Sequence, residues 1–422
     1  MYQYSMNRHF ISNFAPVYGA IPIHINCSNI VLSFMRPLQS LYRFIQKPFF
    51  NNYRTLLWLW ILLPVIVTIL KLHKHNNFLI FKYVYLHTID KLPLYVPYEE
   101  YWDTNHYGPF FSLVIAPFAI VPTWLGLLMW LLALSLFLYY AIRVLPLPKQ
   151  KLILIYWFCT HEFLTALFMT QFNIAIAAII LMSFYCLEKE KDGWSAFFIM
   201  FGTFVKLYGI VGLAFFFFSK HKVKFILYLI LWAAVFFVAP MIISSPDYIL
   251  SQYADWYQSL ASKNSENLFS GGQNISLLGM IRKISHSAAY SDLWIIAVGL
   301  VLFAIPYLRI KQYKNIAFRF TLLASVLLFV VLFSTGSESS TYIIAFVGVS
   351  IWYVAAPWKR TNWDIVLMVF AFVLSSLSPS DLFPAYLRRE FVQPYALKAL
   401  PCAIIWFKLC YEMYFKNYEL SK

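Results

Sequence analysis

Leu72 to Gly108 reads LHKHNNFLIFKYVYLHTIDKLPLYVPYEEYWDTNHYG, a polar stretch set into a chain that is otherwise mostly apolar. Carboxylates, histidines and tyrosines gather here, directly after the first hydrophobic run. A membrane protein without a large soluble domain must place acid–base chemistry in such loops, where water and lipid-borne groups meet. This loop therefore decides both the fold and the place to look for function.

The rest of the chain is the frame. Of its 422 residues 61% are hydrophobic and only 12% charged, and the mean hydropathy is +0.66. A soluble domain has roughly 45–50% apolar and about 25% charged residues. The excess lies in runs that approach the ~20 residues needed to cross a bilayer. Backbone polar groups in lipid must bond internally, which permits only helices or closed barrels. These runs do not alternate polar and apolar as barrel strands do. The expected fold is all-α: a polytopic transmembrane helix bundle of about 10–13 membrane helices, with short re-entrant or interfacial helices.

Expected spans are 55–72, 124–142, 151–168, 171–187, 223–243, 292–310, 316–334, 338–355, 363–377 and 396–412. Two apolar pieces are shorter: 110–122, and the pair 194–204 and 207–218 broken by Lys206 and Gly209. Short basic segments mark the cytosolic side by the positive-inside rule: Arg43, Lys47 and Arg54, then 187–193, 219–224, 309–315 and 358–360. The pattern is self-consistent when 110–122 does not cross and 194–218 is a hairpin entering from the cytosol. The outward face then receives 73–108, 244–291, 335–337 and 378–395. Residues 1–34 are expected to be a poorly ordered extension and 35–54 a basic amphipathic lead-in. Residues 55–415 form one membrane domain, and 416–422 a cytosolic tail.

The net charge of +15 sits in the clusters between spans, with no nucleic-acid-binding motif beside it. Cys27, Cys159, Cys186, Cys402 and Cys410 contain no CxxC pair, so no zinc site or disulfide framework is expected. No Walker motif and no GxGxxG after a strand is present, which leaves ATP-driven transport and nucleotide sugars without support.

Five patches in order carry a resemblance. They are NNFLIFKYVYLHTIDKLPLYVPY (76–98), NHYGPFFSLVIAPFAIVP (105–122), QFNIAI (171–176), FVKLYG (204–209) and NISLLGMIRK (274–283). Together they resemble glycosyltransferase family 87, integral-membrane enzymes of the GT-C class related to polyprenyl-phosphate-mannose-dependent α-mannosyltransferases. The resemblance runs from Arg54 to Phe333. It implies a helix bundle whose first outward loop carries short helices and a catalytic acid. It also implies transfer of a hexose, mannose above all, from a polyprenyl-phosphate sugar to a glycolipid or glycan acceptor. That transfer inverts the anomeric centre and uses no nucleotide, metal or other cofactor. Membrane lipid is then a further partner, nucleic acid is not, and a bacterial inner or plasma membrane is the expected location. The family's pattern opens the loop with an Asp-Phe pair; this chain has Asn77-Phe78, and an amide cannot accept a proton from a hydroxyl as a carboxylate does.

Inverting transfer needs a base at the acceptor hydroxyl and stabilisation of the departing phosphate. Asp90, Glu99, Glu100 and Asp103 are the loop's acids. Asp103 is preferred because Asn105, His106, Tyr107 and the Gly108-Pro109 turn follow it; Glu100 or Glu99 is the next choice and Asp90 the last, with His106 as a partner. Lys206, between two apolar half-helices, would cost about 2.5–3.5 kcal/mol on insertion and is assigned to the donor phosphate, with Arg282 and Lys283 as further candidates. The bland alternatives are snorkelling for Lys206 and headgroup anchoring for the other two. Asn77, Tyr107, Gln171, Asn173, Gln273 and Asn274 are sugar or acceptor candidates, interhelical hydrogen bonding being their plain alternative. Glu338 is an outward-end candidate with less support. A transporter or flippase of a lipid-linked glycan is the rival function; transporters tend to show matched broken helices in two halves, and only one broken hairpin is visible here. A non-catalytic scaffold would leave the acidic loop unexplained.

Overall fold

A computed structural model describes residues 47–287 and 289–419. The expectation for residues 1–34 and for most of the lead-in lies outside the described residues. Residues 47–51 form a turn belonging to a separate compact unit; everything that follows concerns the unit from Asn52 onward.

The unit is all helix. Tyr53–Lys71 (α1), Asn76–Asp90 (α2), Phe111–Ala119 (α3), Thr123–Arg143 (α4), Lys149–Phe168 (α5), Asn173–Glu188 (α6) and Asp192–Val205 (α7) lead to a tighter 3-10 segment at Leu207–Phe218. Lys222–Val238 (α8), Pro246–Glu266 (α9), Leu277–Ser285 (α10), Asp292–Ala304 (α11), Ile316–Leu332 (α12), Tyr342–Ala355 (α13), Asn362–Phe370 (α14) and Ala399–Phe415 (α15) complete it. Four helices are long and apolar enough to cross a membrane: Tyr53–Lys71, Thr123–Arg143, Lys149–Phe168 and Lys222–Ile242. Most of the remaining expected spans are shorter than read from sequence, while the last, expected at 396–412, keeps its length and is shifted to Ala399–Phe415. Several end in tightened or widened turns, as Ile305–Leu308 and Ala371–Leu377 do. A local change of helical pitch is the usual way a helix end meets neighbours already packed around it.

Hydrophobicity sorts the helices into layers. The α6 sequence NIAIAAIILMSF is apolar on every face, and such a helix is buried on every face; Ile174 to Phe184 are all buried. Helices α12 and α13 pack beside it and are buried almost as fully. By contrast α1 and α8 leave apolar side chains outside, among them Leu62, Ile69, Ile230 and Leu231. Apolar exposure of this extent marks a face that meets lipid or a partner, and both helices have the length and composition to cross a membrane.

Ion pairs pin the pole where α6 and α13 end. Arg319 holds Glu188 by two hydrogen bonds of 2.7 Å each. Arg360 reaches Glu412 at 2.8 Å, and the Trp352 indole donates to the same carboxylate at 2.9 Å. The Arg319–Glu188 pair is fork to fork, the geometry that suits a guanidinium, whereas Arg360 reaches both oxygens of Glu412 through Nη1 alone.

The opposite pole is where the broken hairpin turns. Helix α7 stops at Val205 because Lys206 adopts an extended conformation (φ −149°, ψ 119°). The two arms then approach so closely that glycine is required: a Cβ on Gly209 would lie 2.4 Å from the carbonyl carbon of Gly202. Gly271, in contrast, has nothing within 4 Å of its Cβ position. Gly209→Ala should therefore lower stability by about 1–3 kcal/mol, the usual cost of forcing atoms into a packed interface. Gly271→Ala should leave it near wild type; thermal unfolding of both variants in detergent checks the contrast.

Candidate active site

The hairpin tip, the loop after α2 and the start of α13 converge on one cavity of about 320 Å³. Its geometry starts with the loop. The first residue of α2, Asn76, grips the Trp102 backbone from both sides, donating to its carbonyl at 2.6 Å and accepting from its amide at 2.9 Å. Asp103 follows in the left-handed region (φ 76°), which aspartate tolerates better than most residues. Its Oδ1 accepts the Thr104 amide at 2.8 Å. Asn105 then closes a tight turn by accepting the Tyr107 amide at 3.0 Å, the local bond that makes asparagine a turn former. Gly108 donates to the Val205 carbonyl at 3.1 Å. A Cβ there would fall 2.2 Å from the Phe204 carbonyl oxygen, so glycine is what lets the loop rest on the hairpin.

Two ammonium groups enter the cavity. Lys206 donates to Asn173 Oδ1 at 2.7 Å and lies over the rings of Tyr208 and Tyr107 at 4.8 and 5.8 Å. Aromatic faces stabilise a desolvated cation. Lys263, from α9, stands 3.8 Å from Asp103 Oδ1 and 3.7 Å from Glu266.

A shelf of amides forms the floor. Asn173 donates to Gln171 Oε1 at 2.8 Å and to Ser340 at 3.1 Å. Glu338 receives Gln171 on one oxygen at 2.8 Å and Gln273 on the other at 2.9 Å. Glu338 also caps the turn Ser339–Thr341. Behind that turn Lys398 bonds Ser339 Oγ at 2.9 Å and the buried Glu162 at 2.9 Å, which holds the shelf to α5 and α15.

His106 stands in the wall between the cavity and a second, more polar cleft of about 430 Å³, where Asp255, Gln258, Ser259, Ser262 and Glu266 project from one face of α9. Its Nδ1 shares a hydrogen bond with Ser259 Oγ at 3.1 Å. Its Nε2 is 4.0 Å from Asp103 and has no hydrogen-bond partner among the described residues. Burial, with Lys263 adding its charge, pulls the imidazole down to about 4 against the opposing pull of Asp103.

Of the sequence candidates, Asp103, His106, Lys206, Asn77, Tyr107, Gln171 and Gln273 line the cavity, as does Glu338. Asn173 lies directly behind, under Lys206. The others are elsewhere. Glu100 sits with Glu99, Pro97 and Tyr98 at a separate exposed corner. Asn274 is buried in a turn (φ 51°), donating to Leu268 and accepting from Ser276. Arg282 is 2% exposed and paired with Asp292 at 2.6 Å. Lys283 opens onto a different crevice. The cavity also contains residues that the sequence reading passed over: Tyr208, Trp256, Lys263, Asn264, Asn267 and Ser334 to Gly336. Trp256, Leu260, Lys263 and Asn267 recur at helical spacing, so the periodicity of α9 would have marked them as one face.

The family described as glycosyltransferase family 87 has a model that matches residues 105–335, more than half of the chain. No curated protein matches it.

The depressed histidine sets a pH dependence. In the unfolded chain an imidazole titrates near 6.5; in the fold His106 titrates near 4. The neutral ring's contribution is complete above about pH 6.5 and lost as pH falls toward 4. His106→Gln should flatten the fall in melting temperature across that window; melting curves at half-unit pH steps measure it.

Proposed function

The chain belongs to glycosyltransferase family 87, and from that premise we propose that it transfers a hexose, mannose in the first instance, from a polyprenyl phosphate to a hydroxyl of a glycolipid or glycan. The reading is of an inverting reaction that needs neither a metal nor a nucleotide. One observation supports it most: Asp103 and the ammonium groups of Lys206 and Lys263 share a single cavity although they come from three separate segments.

In this reaction the acceptor hydroxyl gives its proton to the Asp103 carboxylate as its oxygen bonds to the anomeric carbon. The bond from that carbon to the phosphate oxygen breaks, and the polyprenyl phosphate departs with the electron pair. Charge grows on the leaving oxygen, and a preplaced ammonium in a partly dry site stabilises it far more than water would. Lys206 has that role; it is held by a neutral amide, Asn173, and no carboxylate lies within ion-pairing distance of it among the described residues. Lys263, 3.8 Å from Asp103, sets the field around the base. Tyr107, Gln171 and Gln273 take sugar hydroxyls, and Asn77 lines the same wall. The acceptor approaches through the polar cleft, where His106 and Thr104 border both spaces.

The location follows the same reading. The basic segments Lys149–Lys151, Lys189–Lys191, Lys220–Lys224, Lys311–Lys314 and Lys359–Arg360 fall at the pole away from the cavity. By the positive-inside rule that pole is cytosolic. The chain then crosses several times, as in an inner or plasma membrane, and its cavity opens outward.

The test is transfer itself. Purified protein receives radiolabelled polyprenyl-phosphate mannose and a membrane lipid extract. Label should appear in a new glycolipid. Asp103→Asn should slow transfer about 100-fold or more, the usual worth of a general base, and Lys206→Met by a similar factor. Glu100→Gln should remain near wild type. Full activity in Asp103→Asn would move the base elsewhere. Label that crosses vesicles without entering a new linkage would make the chain a transporter.

A further inference from the structure

Outside the cavity, the turn Phe269–Gly272, the end of α10 and the segment 389–394 enclose a crevice of about 600 Å³. Three cationic or ionisable nitrogen side chains line it, Lys283, His286 and Arg389, and no carboxylate does. Among the described residues no acid pairs with any of the three, in contrast to several of the bundle's arginines. Arg282, one residue before Lys283, is neutralised by Asp292, and Arg388, one residue before Arg389, reaches Asp381 at 3.1 Å. Arg319 and Arg360 are likewise paired. Lys283 is 6% exposed, yet its ammonium bonds only the Gln273 carbonyl, at 3.3 Å. Among the described residues Arg389 and His286 have no hydrogen-bond or ion-pair partner. A buried, unpaired cation is costly unless an anion joins it. Burial accordingly lowers the Lys283 ammonium, with no acid raising it.

We propose that this crevice is a binding site for a phosphate group, held by Lys283 and Arg389 and backed by the open backbone of Gly271 and Gly272. A guanidinium and an ammonium converging on one concavity suit a phosphate's oxygens, and both glycines leave the space empty. The lip of the crevice points to the source. Phe269, in its lining, is exposed, as are Leu387 and Phe391, two residues to either side of Arg389 in the chain, as befits a surface that meets lipid next to its headgroups. A phosphodiester headgroup and a free phosphate share the recognition chemistry.

The site also touches the cavity through one residue. The Gln273 carbonyl holds Lys283, and the Gln273 side chain holds Glu338. A phosphate that shares the Lys283 ammonium acts on the residue that places one oxygen of Glu338.

The experiment uses the full chain, freed of native lipid in a neutral detergent. Its melting temperature is followed against phosphatidylglycerol in mixed micelles, and separately against inorganic phosphate with chloride at equal ionic strength as the blank. Phosphatidylglycerol should raise the melting temperature to a plateau. Lys283→Met with Arg389→Gln should raise the half-saturating concentration about tenfold or more, as loss of charge-assisted bonds to phosphate predicts. The pair Lys224→Gln with Lys311→Gln, which removes the same charge far from the crevice, should not change it. If Lys283→Met does not fold, the exposed Arg389→Gln alone should still weaken the effect. A matching shift with inorganic phosphate identifies a small-anion site; a shift with the lipid alone identifies a headgroup site. No shift with either, or equal weakening by both charge pairs, overturns the proposal.

Discussion

The contact between the Lys206 ammonium and Asn173 Oδ1, at 2.7 Å, is the constraint around which the polar pole is built. A cation between two apolar half-helices must find a partner or leave the bundle. Here it finds a neutral one, at the first turn of the most buried helix. That choice propagates. Asn173 can accept from Lys206 only with its carbonyl oxygen, so its amide nitrogen is turned toward Gln171 and Ser340. Gln171 then offers its own nitrogen to Glu338, and Gln273 fills the other oxygen. Each amide is oriented by the one before it, and a buried network of this kind is stable only when every member is satisfied.

A neutral partner also leaves the charge of Lys206 uncancelled. Lys283 apart, the bundle neutralises its other buried cations among the described residues: Arg282 on Asp292, Arg319 on Glu188, Arg360 on Glu412, Lys398 on Glu162. Those pairs fasten helices together. An ammonium spared from pairing and faced by two aromatic rings is in the electrostatic condition of a group that receives an anion. Lys263 differs, because two carboxylates stand within 4 Å of it. On the proposed function this divides the work: Lys206 meets the leaving phosphate, while Lys263 sets the field around Asp103.

What the sequence revealed follows from which signals are local. Apolar runs and basic clusters need no tertiary knowledge, so the all-helical bundle could be read directly, and the pieces at 110–122 and 194–218 stand out as exceptions. Lys206 was legible because its burial is expensive wherever the chain goes. Arg282 looked like a phosphate ligand because its partner, Asp292, lies ten residues on across a turn that charge spacing alone does not close. Lys263 was missed for the opposite reason. A lysine on an amphipathic, mostly polar helix looks solvated, and only the docking of α9 onto the first loop, through the Trp256 indole and the His106 carbonyl at 3.0 Å, turns its face inward. Helix lengths were overestimated where a span ends in changed pitch, since packing rather than composition decides where an α-turn gives way.

The amide at position 77 bears on the chemistry in a way that the first turn of α2 explains. The resemblance leads one to expect a carboxylate there, and Asn77 does line the cavity, with its nitrogen committed to the Met169 carbonyl at 2.8 Å. Its neighbour Asn76 clamps Trp102, and so fixes the residue after it, Asp103, at the same wall. The start of α2 thus still determines where an acid stands, although the acid arrives from the far end of the loop. A carboxylate held at the end of a backbone clamp in a left-handed turn has little freedom to swing away. On the proposed function, the loop supplies its base from residue 103, and the start of α2, through the Asn76 clamp on Trp102, is the bracket that holds it.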